Sequence, residues 1–158
     1  EKANCSHGDI YYYSCECGEK GELYFEKGEI VHTYSNEYPY LVYNEETQTY
    51  DYFEHGSDHV DAGNNNAQTS FKNVIIQDVT FSQLDENGYL IFNCIGEGRG
   101  GWYITNGTAM QITWSKLSDT GVTRYYDFEG NEITVNTGKT YICLVPDDSF
   151  SKVAITAE

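Results

Sequence analysis

Short runs of β-branched and aromatic residues alternate along the chain with turns rich in Gly, Asn and Asp. Apolar residues do not recur at helical spacing over a useful length, and only residues 115–120 look able to form a helical turn. The pattern predicts strands over residues 10–13, 23–25, 30–34, 39–43, 49–53, 71–81, 89–95, 102–105, 110–116, 123–126, 141–145 and 152–156. It therefore predicts an all-β fold, with antiparallel sheets that form a sandwich or a partly open barrel.

Residues 1–28 differ from the rest of the chain, because they hold three of the five cysteines. The two strands predicted there form a small Cys-rich β-hairpin, and a hairpin alone is marginally stable in water. We therefore predict an appendage over residues 1–28, which needs a cross-link, a metal or packing against a β-domain over residues 29–158.

Cys5, Cys15, Cys17 and His32 could supply three thiolates and one imidazole to a tetrahedral structural zinc site. The Cys-x-Cys spacing is tighter than the usual Cys-x-x-Cys, and His7 is an alternative fourth ligand. A disulfide from Cys5 to one of the other two cysteines stays open as well. Zinc is favoured because it ties together the start, the turn and the exit of the hairpin.

Cys94 and Cys143 fall in the middle of two predicted strands. They could be buried thiols or a cross-strand disulfide, and we expect them to lie close together in space. Because the five cysteines are an odd number, they cannot all pair within one chain.

The chain carries 25 acidic and 9 basic residues and a net charge of -16, and 15 of its 158 residues are Tyr. Such a charge repels phosphate backbones and anionic lipids, so nucleic acid is not an expected partner. No apolar run approaches the roughly 20 residues of a membrane span, so we predict no membrane insertion by this fragment. Because the chain begins at Glu1, we expect a processed product or an excised piece.

Residues 54–61 hold two histidines and three carboxylates, the densest cluster of this kind in the sequence. His55, Asp58, His59 and Asp61 could bind a metal or act as a general acid and base. A polar surface loop, extending over residues 54–68, is the favoured interpretation, because Gly56 and its neighbours are turn formers.

The glycines of Gly96-x-Gly98-x-x-Gly101 match a dinucleotide-binding fingerprint, but that motif requires a following helix. A predicted strand follows here instead. The glycines therefore predict a bend or bulge where two backbones approach closely.

Two further groups of residues have both a functional and a structural interpretation. Arg99 and Lys139 could orient an anionic ligand, or could serve solubility. Five aromatic residues could line a sugar-binding platform, although in β-domains such residues are more often core or cross-strand pairs: Trp102, Tyr103, Trp114, Tyr125 and Tyr126.

Several separate blocks resemble the C-terminal domain of the YerB-like bacterial lipoproteins, in order, over roughly residues 30–145. They are Lys-Asn-Val-Ile-Ile at 72–76, Gly-Glu-Gly-Arg-Gly at 96–100, Trp-Tyr-Ile-Thr-Asn-Gly at 102–107, Ile-Thr-Trp-Ser-Lys at 112–116, Thr-Arg-Tyr-Tyr-Asp at 123–127, Gly130 and Gly-Lys-Thr at 138–140. The resemblance implies an extracytoplasmic bacterial protein, of a Gram-positive organism, and a domain of unknown function. It supplies no catalytic residues. The Cys-rich hairpin is similar to short Cys/His modules of surface proteins from gut anaerobes.

The sequence as a whole favours a non-catalytic binding or structural module of a bacterial cell-surface or secreted protein. Its expected partner is a protein or a glycan at the cell surface, and its one expected cofactor is structural zinc. The alternative is a hydrolase that acts on cell-wall or glycan material with the residues of the 55–61 loop. An enzyme would hold those side chains together in a concave pocket.

Overall fold

The computed structural model describes residues 10–14, 20–26 and 38–156. The chain divides into two compact units, Glu1–Tyr38 and Pro39–Glu158. In the first unit, β1 (Ile10–Ser14) and β2 (Lys20–Glu26) pair antiparallel, which confirms the predicted hairpin. The strand predicted over residues 30–34 and the boundary predicted after residue 28 lie outside the described residues.

The second unit is built from strands, and this confirms the all-β class. In chain order the strands are β3 (Tyr40–Asn44), β4 (Thr49–Glu54), β5 (Ser57–Asp58), β6 (Val60–Asp61), β7 (Ala67–Gln68), β8 (Ser70–Phe71), β9 (Asn73–Gln83), β10 (Leu90–Asn93), β11 (Gly96–Thr105), β12 (Thr108–Lys116), β13 (Arg124–Tyr126) and β14 (Thr140–Pro146). One 3-10 helix, Phe150–Lys152, follows them. Within the described ranges no helix is long and apolar enough to cross a membrane.

Strand β9 is the centre of a six-stranded sheet. It pairs antiparallel with β11, and β11 continues to β12 and β13. Strand β14 pairs with β9 in parallel, with Thr140 opposite Asn73 and Pro146 opposite Val79. Strand β10 pairs with the far end of β9, from Thr80 onwards. The sheets are thus antiparallel as predicted, with one parallel pair that the sequence pattern did not reveal.

A second sheet consists of β3, β4 and β5, with β8 also paired to β4, and β6 pairs with β7 beside it. Aromatic rings connect the two larger sheets. The ring of Tyr141 on β14 lies 5.3 Å from that of Tyr52 on β4 and 5.2 Å from that of Phe71 on β8. Ring pairs at this separation stabilise a fold by more than the burial of their apolar area alone.

The main cluster of buried apolar residues lies on one face of the six-stranded sheet. Ile75, Tyr103 and Ile112 come from three adjacent strands and are buried side by side. Ile133 and Val135, from the segment between β13 and β14, pack against them. The alternation of side chains along each strand places these residues on one face, as the apolar pattern requires.

The glycines of residues 96–101 lie within β11, where the pairing register shifts between Gly96 and Arg99. At Gly101 an added Cβ would lie 2.6 Å from the carbonyl oxygen of Ile76. Both observations confirm the predicted bulge and close backbone approach.

The strand predicted over residues 152–156 is wrong. Residue 152 belongs to the 3-10 helix, and residues 153–156 are in no strand. The apolar alternation of Val153 and Ile155 suits a strand, but the central strand β9 is already paired with β11 and β14. The segment therefore has no place at the middle of the sheet.

Candidate functional site

The cluster of residues 54–61 forms a surface hairpin rather than a pocket. His55 and Gly56 both have positive φ, 52° and 73°, and make the two-residue turn between β4 and β5. A turn of this kind suits the twist of a hairpin. The turn places His55 at an exposed tip of the hairpin.

Of the remaining candidates of this loop, His59 and Asp61 have local partners. His59 approaches Thr69 through Nδ1 at 3.2 Å, and its Nε2 lies 3.8 Å from Glu54. One carboxylate oxygen of Asp61 accepts the N–H of Gly63 at 3.0 Å. Asp58 is exposed. In the described part of the chain, no three His, Cys, Asp or Glu side chains converge as metal ligands would.

The predicted zinc ligands, Cys5, Cys15, Cys17 and His32, lie outside the described residues, as does the alternative ligand His7. The zinc site and the competing disulfide stay predictions.

Cys94 and Cys143 carry free thiols. Cys143 pairs with Ile76 on β9, whereas Asn93, which precedes Cys94, pairs with Thr80. If the pairing continued by one residue to Cys94, the two cysteines would lie opposite positions of β9 that are three residues apart. That separation is about 10 Å at the usual rise per residue. A disulfide needs Cα atoms within about 7 Å, so the predicted bond is not compatible with this register. Burial raises the pKa of the Cys143 thiol, which makes it a weak nucleophile.

A buried polar network joins three of the sequence blocks, and its centre is Asn73 at the start of β9. The Asn73 side chain donates to the carbonyl of Asn136 at 2.7 Å and to Thr140 at 3.2 Å. It accepts the hydroxyls of Tyr103 at 3.1 Å and Thr105 at 3.0 Å. Among the described residues no buried side-chain polar atom lacks a partner, as is usual in folded proteins.

Arg99 is not available for an anionic ligand. Its guanidinium donates to the carbonyl and carboxylate of Asp78 at 3.0 and 2.9 Å, and lies 3.8 Å from Asp147. The indole of Trp114 donates to the same Asp78 carbonyl. Arg99 therefore connects β9, β11 and the end of β14. Lys139, the other candidate, is exposed.

The five aromatic candidates separate into two groups. Tyr103 and Trp114 are buried, whereas Trp102, Tyr125 and Tyr126 are half-buried. Tyr125 packs against the core. The five residues therefore do not form one platform, and the favoured core interpretation holds for Tyr103, Trp114 and Tyr125. Trp102 lines a surface groove.

Several of the exposed large apolar residues of the described chain lie together in the hairpin of β9 and β10. Sequence alternation predicts two faces for β10, yet Leu90 and Ile91, on opposite faces, are 47% and 48% exposed. The other exposed apolar residues of this hairpin are Leu84, Tyr89, Phe92 and Ile95. Periodicity gives the faces of a strand but not what covers them, so sequence reasoning missed this surface.

The comparisons with known proteins agree with the fold. The family profile described as "Protein of unknown function (DUF3048) C-terminal domain" matches residues 23–142. The crystal structure of the YerB protein from Bacillus subtilis superposes with a TM-score of 0.61 at 19% identity. The match covers 69% of this chain and 36% of that chain, so the chain spans just over a third of the length of YerB. No curated protein matches. The resemblance to the YerB-like C-terminal domain is thereby confirmed.

Proposed function

The chain belongs to the DUF3048 C-terminal domain family, and we propose that it is a non-catalytic binding module that works outside the bacterial cytoplasm. The location rests on the resemblance to YerB-like lipoproteins. The absence of catalysis is supported by the 55–61 loop, whose candidate side chains are exposed and do not face a shared pocket, while His59 and Asp61 bind local partners.

The observation that carries the binding role is the apolar hairpin of β9 and β10, whose strand β10 is exposed on both faces. Monomeric proteins rarely leave contiguous apolar surface in water unless it mediates an interaction. An exposed strand also offers backbone N–H and C=O groups to another chain. A protein partner would cover both features at once.

Charge narrows the kind of partner. Residues 79–98 contain no Lys or Arg, whereas Asp85, Glu86 and Glu97 are acidic. Two copies of this chain would bring the same negative charges together, which disfavours self-association through this hairpin. We therefore propose that the partner is a different protein, with apolar and basic side chains on its contact surface.

The test replaces one leucine at a time with lysine. Leu90→Lys places a charge on the hairpin, and Leu117→Lys makes the same change at a residue that is 73% exposed elsewhere. Both variants should keep the melting temperature of the parent chain, because neither leucine is buried. The binding partner is first purified from a bacterial cell-surface extract and then titrated against each variant by surface plasmon resonance.

We expect Leu90→Lys to weaken binding at least tenfold and Leu117→Lys to leave it unchanged. Equal binding by the two variants would assign the interaction to another surface. A turnover of cell-wall or glycan substrates that is lost in His59→Ala would instead favour the hydrolase.

A further inference from the structure

A groove of about 240 Å³ lies on the sheet where β11 and β12 pair. Gly100 pairs with Thr113 and Trp102 pairs with Gln111, so the side-chain positions of these residues lie on one face. The groove shares no lining residue with the β9–β10 hairpin.

Two phenylalanines from outside these strands also line the groove. Phe150 belongs to the 3-10 helix, and Phe128, which is 73% exposed, belongs to the loop after β13. That loop is braced by Asp127, whose carboxylate accepts the N–H groups of Glu129 and Asn131 at 2.9 and 2.8 Å. The hydrogen bonds from Asn131 and its neighbours hold the pKa of Asp127 below its usual value, so the carboxylate stays charged. The exposed ring of Phe128 is therefore held by a turn that these hydrogen bonds stabilise.

Gly100 is a glycine that the fold itself does not require. Gly98 has a φ of 65° and Gly101 faces the backbone of Ile76, so each has a structural reason to lack a side chain. Gly100 has no positive φ, and an added Cβ would meet nothing within 4 Å. Glycine within a strand weakens it and often marks the close approach of a ligand. At Gly100 the missing side chain leaves the floor of the groove open.

The groove is neutral and carries unused polar groups. The side chains of Gln111 and Thr113 make no hydrogen bond to any other described residue. The nearest cation along the strand, Arg99, is bound by Asp78 and Asp147. An anionic ligand would find no free cation in this lining, and the net charge of -16 would repel it.

We propose that this groove binds one pyranose ring of a neutral carbohydrate. The C–H face of the sugar packs on the aromatic walls, and its hydroxyls pair with the amide of Gln111 and the hydroxyl of Thr113. Small-ligand sites combine apolar walls with a few polar groups in this way. The volume is below the usual range for drug-sized ligands, which fits a single ring of a longer glycan.

The two tryptophans provide an internal control for the test. Trp102 lines the groove, whereas Trp114 is buried and its indole N–H is bound to Asp78. The full chain, labelled with ¹⁵N, is titrated with cellotetraose and with chitotetraose while both indole N–H signals are followed. We expect at least one saccharide to shift the Trp102 signal to saturation, with a Kd on the order of 1 mM. The Trp114 signal should not move.

Three variants connect the shift to the groove. Gly100→Val fills the floor and should weaken binding at least tenfold without lowering the melting temperature. Phe128→Ala removes an exposed wall and should weaken binding severalfold. Gly63→Ala is the matched control, because its φ is not positive and its added Cβ would meet only the Asp61 side chain at 3.3 Å. It should bind as the parent chain does.

The proposal is overturned if neither saccharide shifts the Trp102 signal at concentrations of tens of millimolar. It is also overturned if the shift survives Gly100→Val, or if a lysine-rich peptide shifts Trp102 and the saccharides do not. None of these results depends on Leu90, so they do not test whether a protein partner binds the β9–β10 hairpin.

Discussion

Asn73 is fully excluded from solvent, and four groups of the protein bind its side-chain amide. A buried amide without these partners would keep its full desolvation penalty. The loss of folding free energy would then be far larger than the net contribution of any single hydrogen bond. The four partners come from β11, from β14 and from the segment before β14. One residue thus fixes how three distant parts of the chain meet.

Removal of a single oxygen tests this network. The hydroxyl of Tyr103 donates to Asn73 and accepts the N–H of Asn136 at 2.9 Å, so Tyr103→Phe leaves both groups without that partner. We expect the free energy of unfolding to fall by about 1–3 kcal/mol in urea denaturation. Tyr126→Phe is the matched control and should change it by less than about 0.5 kcal/mol. Equal effects would show that the network is not what stabilises this end of the sheet.

The two described thiols should differ in reactivity. Cys94 is exposed, whereas Cys143 is partly buried and burial raises the pKa of its thiol. At pH 8, iodoacetamide followed by peptide mapping should label Cys94 well before Cys143. Labelling at similar rates would contradict the placement of Cys143 within the sheet.

The same shift predicts a loss of stability in alkali. Because the pKa of Cys143 is higher in the folded state than in the unfolded state, its contribution is complete below the unfolded value, about 8.5, and is lost as the pH rises through the folded value. The fall in stability above pH 9 should therefore be smaller in Cys143→Ala than in the parent chain. An equal fall in the two proteins would contradict the burial of this thiol.

At the scale of elements, the hairpin of β1 and β2 has only two strands, and such hairpins need support. The prediction from sequence is one zinc ion per chain, held by cysteines and a histidine. Elemental analysis should find about one equivalent of zinc, and EDTA should lower the stability of this segment, because bound metal contributes folding free energy.

Thiol titration separates zinc from the competing disulfide. After denaturation in EDTA, the zinc form should give all five thiols of the chain. Two fewer thiols, together with no bound metal, would contradict the zinc site and favour the disulfide.

Local patterns in the sequence were enough to predict most strands and their turns. Asn106 and Gly107, for example, take φ values of 49° and 73°, as the turn between β11 and β12 requires. Pairing between distant segments was not predictable, because the sequence of β14 does not by itself specify β9 as the strand with which it pairs. The groove was missed for the same reason, since Phe128 and Phe150 join Trp102 only after folding.

At the scale of the whole molecule, the charge of -16 opposes compaction. Salt screens like charges over a Debye length, which falls from about 30 Å at 0.01 M to about 8 Å at 0.15 M. We therefore expect the melting temperature to rise by a few degrees between 10 mM and 150 mM NaCl. Glu45→Gln with Glu46→Gln, which removes two exposed charges, should reduce that rise. A melting temperature that falls with salt would mean that favourable ion pairs outweigh the repulsion.

The parallel pairing of β14 with β9 has a consequence for how the protein is made. Asn73 and Thr140 are 67 positions apart in the chain, so β9 and β11 leave the ribosome long before β14 can join them. Until then one side of β9 is bare, and an uncovered strand invites misassembly between nascent chains. Synthesis that stops before Thr140 should give insoluble protein, and a chaperone that shields β9 during translation should raise the yield of the complete chain.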